Sequence, residues 1–219
     1  MTVEQVMSDL KSNSNPSRKK SLLKAGASEN TYGVLLGYLR SYAKKIGVNH
    51  ELAFKLMYTL NTDAMLLAVM LFDVSKLSAK EAYDVLSIIT FEQVLDDFMF
   101  RVVTLIEEVD VLYDMLKDSD SDMIKRALWA INVERVRHKS IDDNEVLYLL
   151  EVIKRNLVNE TPKAQWMMNR CFAQIGITYE KYRTKVLDLS EKLGVYKEMK
   201  VSPGCTSAYV PNWIHAVIK

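Results

Sequence analysis

The amino-acid sequence predicts an all-α protein, and three of its features support that prediction. Only 7 glycines and 4 prolines interrupt its 219 residues, which favours long regular elements. Apolar residues recur at three- and four-residue steps nearly from end to end, the spacing of one helix face. No window alternates strictly between apolar and polar residues and is flanked by hairpin turns, so we expect no sheet.

The helices can be placed in order from their start and stop signals. Apolar residues recur at helical spacing over residues 34–46, and Gly47 ends that helix. Asn49 is a suitable N-cap for the next helix, and Asn61 or Thr62 begins another. Three later starts are marked by a capping box or by a proline in the first helical position: Ser78 with Glu81, Asp142 with Glu145, and Thr161 with Pro162.

About eleven or twelve helices result, and short loops join them, so consecutive helices should be antiparallel neighbours. Pairs of this kind over residues 31–193 predict a stacked array, an α-solenoid in which each pair buries its apolar face on the next. Self-similarity between the pairs is too weak to set a repeat length, so the periodicity alone also allows an irregular bundle. A chain of this length can bury about 70% of its unfolded surface in one core, so we expect residues 1–219 to form a single domain.

Composition limits the function classes. The cysteines, Cys171 and Cys205, are too few for a disulfide framework and lack the spacing of a zinc site, so we expect both to be apolar fillers in a reducing compartment. The three histidines are far apart and no glycine-rich phosphate loop is present, so we expect no metal and no cofactor. The apolar run at residues 64–72 is too short to span a bilayer, and no signal peptide is recognisable, so we expect a cytoplasmic protein that does not bind membranes.

Charge is unevenly distributed although the net charge is only +1. Residues 92–122 contain ten acids against Arg101 and Lys117, whereas residues 125–139 contain five bases and one acid. Such asymmetry is consistent with one surface of each sign, and equally with ordinary solvated helix faces. Any binding of nucleic acid must therefore depend on local charge.

A series of segments, in this order and spacing, resembles the alkylated-purine DNA glycosylase family, the DNA alkylation repair enzymes built of HEAT-like repeats. The resemblance covers nearly the whole chain and implies a HEAT-like α-solenoid that binds duplex DNA, alkylated or not, as a monomer. The segments that carry it are residues 15–20, 32–34, 39–47, 50–53, 66–73, 91–98, 124–127, 168–176 and 204–214.

The resemblance implies removal of cationic N3- or N7-alkylated purines by breakage of the N-glycosidic bond. Asp96 matches the carboxylate that stabilises positive charge on the deoxyribose in active members. Those members have a tryptophan four residues before that aspartate, where this chain has Glu92. They have a second tryptophan after an asparagine; here Asn169 is followed by Arg170, and the resemblance implies that both residues, like Glu92, contact DNA. Both replacements remove rings that could stack on a cationic base.

The resemblance also assigns a phosphate contact to Arg126, whose guanidinium geometry suits phosphate oxygens. We expect it to share one concave surface with Asp96 and Arg170. Two functions stay open: excision of alkylated bases, and a noncatalytic scaffold that binds nucleic acid or a protein. The bases expected to add backbone attraction are Lys125, Arg135, Arg18, Lys19, Lys20, Lys44 and Lys45.

Overall fold

A computed structural model of the protein describes residues 1–218, and this part of the chain is all-α, with thirteen α-helices and two short 3₁₀ helices but no strand. The predicted all-α class is confirmed. None of the helices in residues 1–218 has the length and apolarity needed to cross a membrane. The chain divides into two compact units, Met1–Asp118 and Ser119–Lys219, called unit 1 and unit 2 below. The expected single domain stays a prediction.

Unit 1 holds eight α-helices, several of which begin at side-chain caps. Thr2 with Gln5 and Ser78 with Glu81 form complete capping boxes, which satisfy backbone N–H groups in the first turn. The helices are α1 (Val3–Ser12), α2 (Pro16–Lys24), α3 (Leu36–Ile46), α4 (His50–Met57), α5 (Thr62–Val69), α6 (Ala79–Ile88), α7 (Glu92–Arg101) and α8 (Val109–Leu116), with 3₁₀ helices at Val74–Lys76 and Val103–Leu105.

The centre of unit 1 is α5, every residue of which is buried. It packs against α3, α4 and α7, and its apolar residues supply much of the core. Asn61 caps its first turn through the N–H groups of Asp63 and Ala64. A helix that is apolar on all sides is expected only where neighbours surround it, so α5 positions the elements around it.

Unit 2 holds five α-helices, with α11 packed against α9, α10, α12 and α13. Gly176 allows α13 to approach α11 closely, because a Cβ at that position would lie 2.5 Å from the Cδ1 atom of Ile214. The capping box at Asp142 and Glu145 is present as predicted. The helices are α9 (Asp122–Arg137), α10 (Asp143–Asn156), α11 (Pro162–Thr178), α12 (Glu180–Leu193) and α13 (Val210–Val217).

Most of the predicted helix boundaries are confirmed, and the differences have simple causes. Gly47 ends α3 and Asn49 caps α4, and α5 begins at Thr62 after its cap. The described residues hold thirteen α-helices, slightly more than the eleven or twelve expected. One of the two cysteine predictions is wrong: Cys171 is buried, but Cys205 is exposed in the segment before α13.

Candidate nucleic-acid interface

Helix α7 presents one buried and one accessible face. Val94, Leu95, Phe98 and Met99 are buried against the core of unit 1. Because Glu92 and Asp96 are four residues apart, they lie on the same face of the helix, one turn from each other. Both are half-buried, as are their neighbours Gln93 and Asp97. Asp96, which is expected to lie beside the deoxyribose, and Glu92, which stands where active members have a tryptophan, therefore share one surface.

This surface borders a cleft of about 520 Å³ in unit 1. Three carboxylates line it, those of Glu92, Asp96 and Asp97, together with the guanidinium groups of Arg40 on α3 and Arg101 at the end of α7. The Nε atom of Arg101 donates to the Oδ1 atom of Asp97 over 3.1 Å. The cleft therefore combines acids and cations. Sequence reasoning identified Asp96 and Glu92 in it and missed the two arginines.

A second cleft of about 510 Å³ adjoins the first and shares Arg40, Met70 and Arg101 with it. Lys44, one turn after Arg40 on α3, also lines this second cleft. The rest of its lining is largely apolar and includes Phe72, which is buried. Three cations beside an apolar lining suit an amphipathic anion such as a nucleotide.

Helix α2 adds positive charge next to the first cleft. It contains Arg18 and three lysines and no acid, and Ala25, which follows its last residue, lines the cleft. The Nη2 atom of Arg18 donates to the Oε1 atom of Gln93 on α7 over 3.3 Å. The backbone of α2 approaches Gly33 so closely that a Cβ there would lie 2.3 Å from the backbone nitrogen of Lys19. This contact holds the basic helix against the segment that precedes α3.

The segment before α3 is held by a buried carboxylate on α5. Asp63 is fully buried and accepts hydrogen bonds from the hydroxyl of Thr31 and from the backbone N–H groups of Tyr32, Gly33 and Val34, at 2.6 to 3.0 Å. Buried polar groups need such partners, and here one aspartate satisfies four donors. Because this segment leads directly into α3, it determines where Arg40 and Lys44 lie.

The cleft offers little ring surface for stacking. Of the described residues that line it, Phe91 alone is aromatic, and only 5% of that residue is exposed. Base stacking needs an accessible aromatic face. Recognition in the first cleft must therefore depend on charge and shape.

In unit 2, the predicted phosphate ligand Arg126 is 5% exposed. Its Nη1 atom donates to the backbone carbonyl of Lys163 over 2.9 Å and so ties α9 to the start of α11. Burial raises the pKa of the nearby Tyr196 phenol, and the charge of Arg126 works in the opposite direction. The ammonium of Lys125 lies 4.0 Å from the carboxylate of Glu160. A phosphate contact by either base stays a prediction.

Asn169 is 1% exposed, and its Nδ2 atom donates to the carbonyl of Ala208 over 2.8 Å. It thereby fastens the segment that leads into α13. Arg170 follows it on α11 and is half-buried. Of the tryptophans in this unit, Trp129 is buried, and Trp166 contacts Tyr196 edge-to-face. DNA contacts by Asn169 and Arg170, and their sharing of a surface with Asp96, stay predictions.

Within residues 1–218, no group of three or more His, Cys, Asp and Glu side chains is arranged to hold a metal ion. On α7, the carboxylate of Asp97 instead pairs with the guanidinium of Arg101.

Comparison with known proteins identifies the family. A model of the DNA alkylation repair enzyme family matches residues 6–199, most of the chain. The chain belongs to that family. Two uncharacterized proteins are similar to this chain along nearly their whole length. One is from Listeria monocytogenes, at 25% identity, and the other from Listeria innocua, at 24% identity. Each alignment spans 228 positions and covers 100% of this chain and 97% of the relative.

One solved structure comes from a group described as a new family of proteins related to the HEAT-like repeat DNA glycosylases, with affinity for branched DNA structures. It matches this DNA alkylation repair chain with a TM-score of 0.82 at 21% identity and covers 99% of this chain and 92% of its own. This likeness confirms the predicted HEAT-like all-α fold.

Proposed function

We propose that this member of the DNA alkylation repair family binds DNA across the α7 cleft of unit 1 and releases cationic alkylated purines there, with Asp96 as the stabilising carboxylate. The observation that carries the proposal is the position of Asp96 in a cleft that Arg40 and Arg101 also line. A sugar beside the carboxylate would have its flanking phosphates near cations. That arrangement fits a nucleic-acid strand better than a small neutral ligand.

Cations line the cleft and lie next to it. The shared residues Arg40 and Arg101 connect it to the adjoining cleft with Lys44, and the basic helix α2 ends directly before Ala25, which also lines the cleft. Arginine can donate two parallel hydrogen bonds to a phosphate, and lysine adds a point charge. Neither contact reads sequence, so binding should depend on salt and little on base order.

The chemistry follows from charge. In an N-alkylated purine the base already carries a positive charge, so it leaves readily when the bond between N9 and C1′ breaks and its electron pair stays on the base. Positive charge then develops on the sugar, and water adds at C1′ and gives up a proton. A fixed carboxylate beside the sugar stabilises that state, which is the role proposed for Asp96.

Glu92 would act on the base instead of the sugar. It lies one helical turn before Asp96, and a carboxylate attracts a cationic purine without any stacking. This attraction is less directional than the contact of a ring face. We therefore expect selection for charged lesions over neutral ones, with slower excision than a ring-lined site would support.

The test is release of methylated purines from alkylated duplex DNA by the purified protein. Asp96→Asn should lower the rate about a hundredfold or more, the usual effect of removing one charge-stabilising group, while DNA affinity changes little. Asp110→Asn, an exposed acid on α8, is the matched control and should release bases at the wild-type rate. Full activity of Asp96→Asn would overturn the assignment.

A noncatalytic DNA-binding role is the second candidate, and two observations favour it. The cleft lacks an accessible ring, and the similar solved structure belongs to a group described by its affinity for branched DNA. This candidate predicts tight, salt-sensitive binding of branched DNA and no release of alkylated bases by the wild-type protein. Measurable release that Asp96→Asn abolishes would exclude it.

A further inference from the structure

Unit 2 contains a basic cleft of its own, which the proposed site in unit 1 does not use. It lies between α10 and α12 and has a volume of about 510 Å³. Four lysines line it against only two acids, Glu151 and Asp188. The lysines are Lys154 from α10 and Lys181, Lys185 and Lys192 from α12.

The α12 lysines form a row. Lys181, Lys185 and Lys192 are spaced by four and seven residues, so they lie along one face of the helix. At a rise of 1.5 Å per residue the row is about 16 Å long. A row of this length matches a linear polyanion better than a compact anion, which would contact only one or two of its members.

Two of the four lysines are engaged with carboxylates. Lys154 lies 3.5 Å from Glu151, and Lys181 is hydrogen-bonded to Asp143, which raises the pKa of Lys181. Lys185 and Lys192 are exposed, and neither forms an ion pair within the part of the chain that the structure describes. Their charge is therefore available to a ligand.

The rest of the cleft suits a nucleic-acid backbone. Leu150 is buried and Leu189 half-buried, so the floor is apolar and can support the aliphatic stems of the lysines. The hydroxyl of Thr184 adds a neutral hydrogen-bonding group. No guanidinium lines the described cleft, so its contacts would be point charges without a preferred base sequence.

We propose that this lysine cleft is a second DNA-binding surface, which contacts backbone phosphates independently of the α7 cleft. The proposal rests on the proposed DNA binding but not on base excision. Nucleic acid is preferred over an acidic protein because the cations form a row, which suits the evenly spaced phosphates of a backbone.

The test compares two double variants of the full chain that lose the same charge. The first double variant, Lys185→Gln with Lys192→Gln, removes the two cations of the cleft that form no ion pair. The second, Lys197→Gln with Lys200→Gln, removes two exposed lysines outside the cleft. Each phosphate contact contributes about 0.9 to the slope of log affinity against log salt. The first variant should lower that slope on a fluorescent duplex by about 1.8 and weaken binding at low salt, and the second should match wild type.

A second readout does not depend on the variants. Acetylation of the wild-type protein, followed by mass spectrometry, should show Lys185 and Lys192 protected by duplex DNA and Lys197 unprotected. Equal reactivity of all three with and without DNA, or a wild-type slope in the cleft variant, would overturn the proposal. Protection by polyglutamate and not by DNA would also overturn it. If the wild-type protein binds no DNA at all, the proposed function itself is rejected instead.

Discussion

Replacing Asp63 tests the link between the core of unit 1 and its cleft. The carboxylate accepts hydrogen bonds from Thr31, Tyr32, Gly33 and Val34. The aspartate and three of these four residues are buried, so water cannot readily take its place. A hydrogen bond to a charged group contributes about 1.5 to 3 kcal/mol, but the four are not additive. Breaking a buried charged network commonly costs about 3 to 5 kcal/mol, and we expect that loss for Asp63→Ala.

Asp63→Asn keeps the volume and one acceptor oxygen but turns an NH₂ group toward backbone donors, so we expect a loss of about 2 to 3 kcal/mol. Urea unfolding followed by circular dichroism measures the free energy of unfolding, and Asp110→Asn is the control. Hydrogen exchange gives a local readout: the amides of Tyr32, Gly33 and Val34 should exchange faster in both Asp63 variants. Unchanged midpoints together with unchanged exchange would refute this account of the segment before α3.

Gly33→Ala should destabilise unit 1 clearly more than Gly47→Ala, measured by thermal unfolding. Both have positive φ, which costs a side chain about 1 to 2 kcal/mol, but only at Gly33 would a Cβ meet the backbone of α2. A thiol reagent at about pH 8 should modify Cys205 in the native protein and Cys171 only after unfolding, because burial raises the pKa of the Cys171 thiol; rapid labelling of both would contradict the fold. Arg170→Trp should increase the release of alkylated purines if loss of that ring slows excision, and an unchanged rate would show that the ring is not the limiting feature.

The helices were largely predictable because their signals are local. A cap such as Asn49 or the capping box at Ser78 acts on the first turn that follows it, so sequence alone is sufficient. The count was low because α2 is so polar that its apolar stripe is weak, with only Leu22 buried. The exposure of Cys205 could not be predicted, since burial in a loop depends on contacts distant in sequence.

The site was predictable only in part. Asp96 and Glu92 were found through the family resemblance, but Arg40 lies on another helix, and only the fold brings it to the same cleft. Arg101 offered a local signal, because it is four residues after Asp97 on α7. For Arg126, the family resemblance did not reveal that tertiary packing buries the guanidinium against the start of α11. A substitution there would change stability as well as binding.

The most direct test of the central claim is the affinity for a duplex containing methylated purines of a protein with Arg40→Gln and Arg101→Gln. If DNA lies across the α7 cleft, the dissociation constant should rise about ten- to a hundredfold at low salt, and the slope of log affinity against log salt should fall by about 1.8. A variant with Lys11→Gln and Lys76→Gln, two exposed lysines of unit 1 away from the cleft, should bind like wild type. Wild-type affinity and slope in the arginine variant would contradict the account.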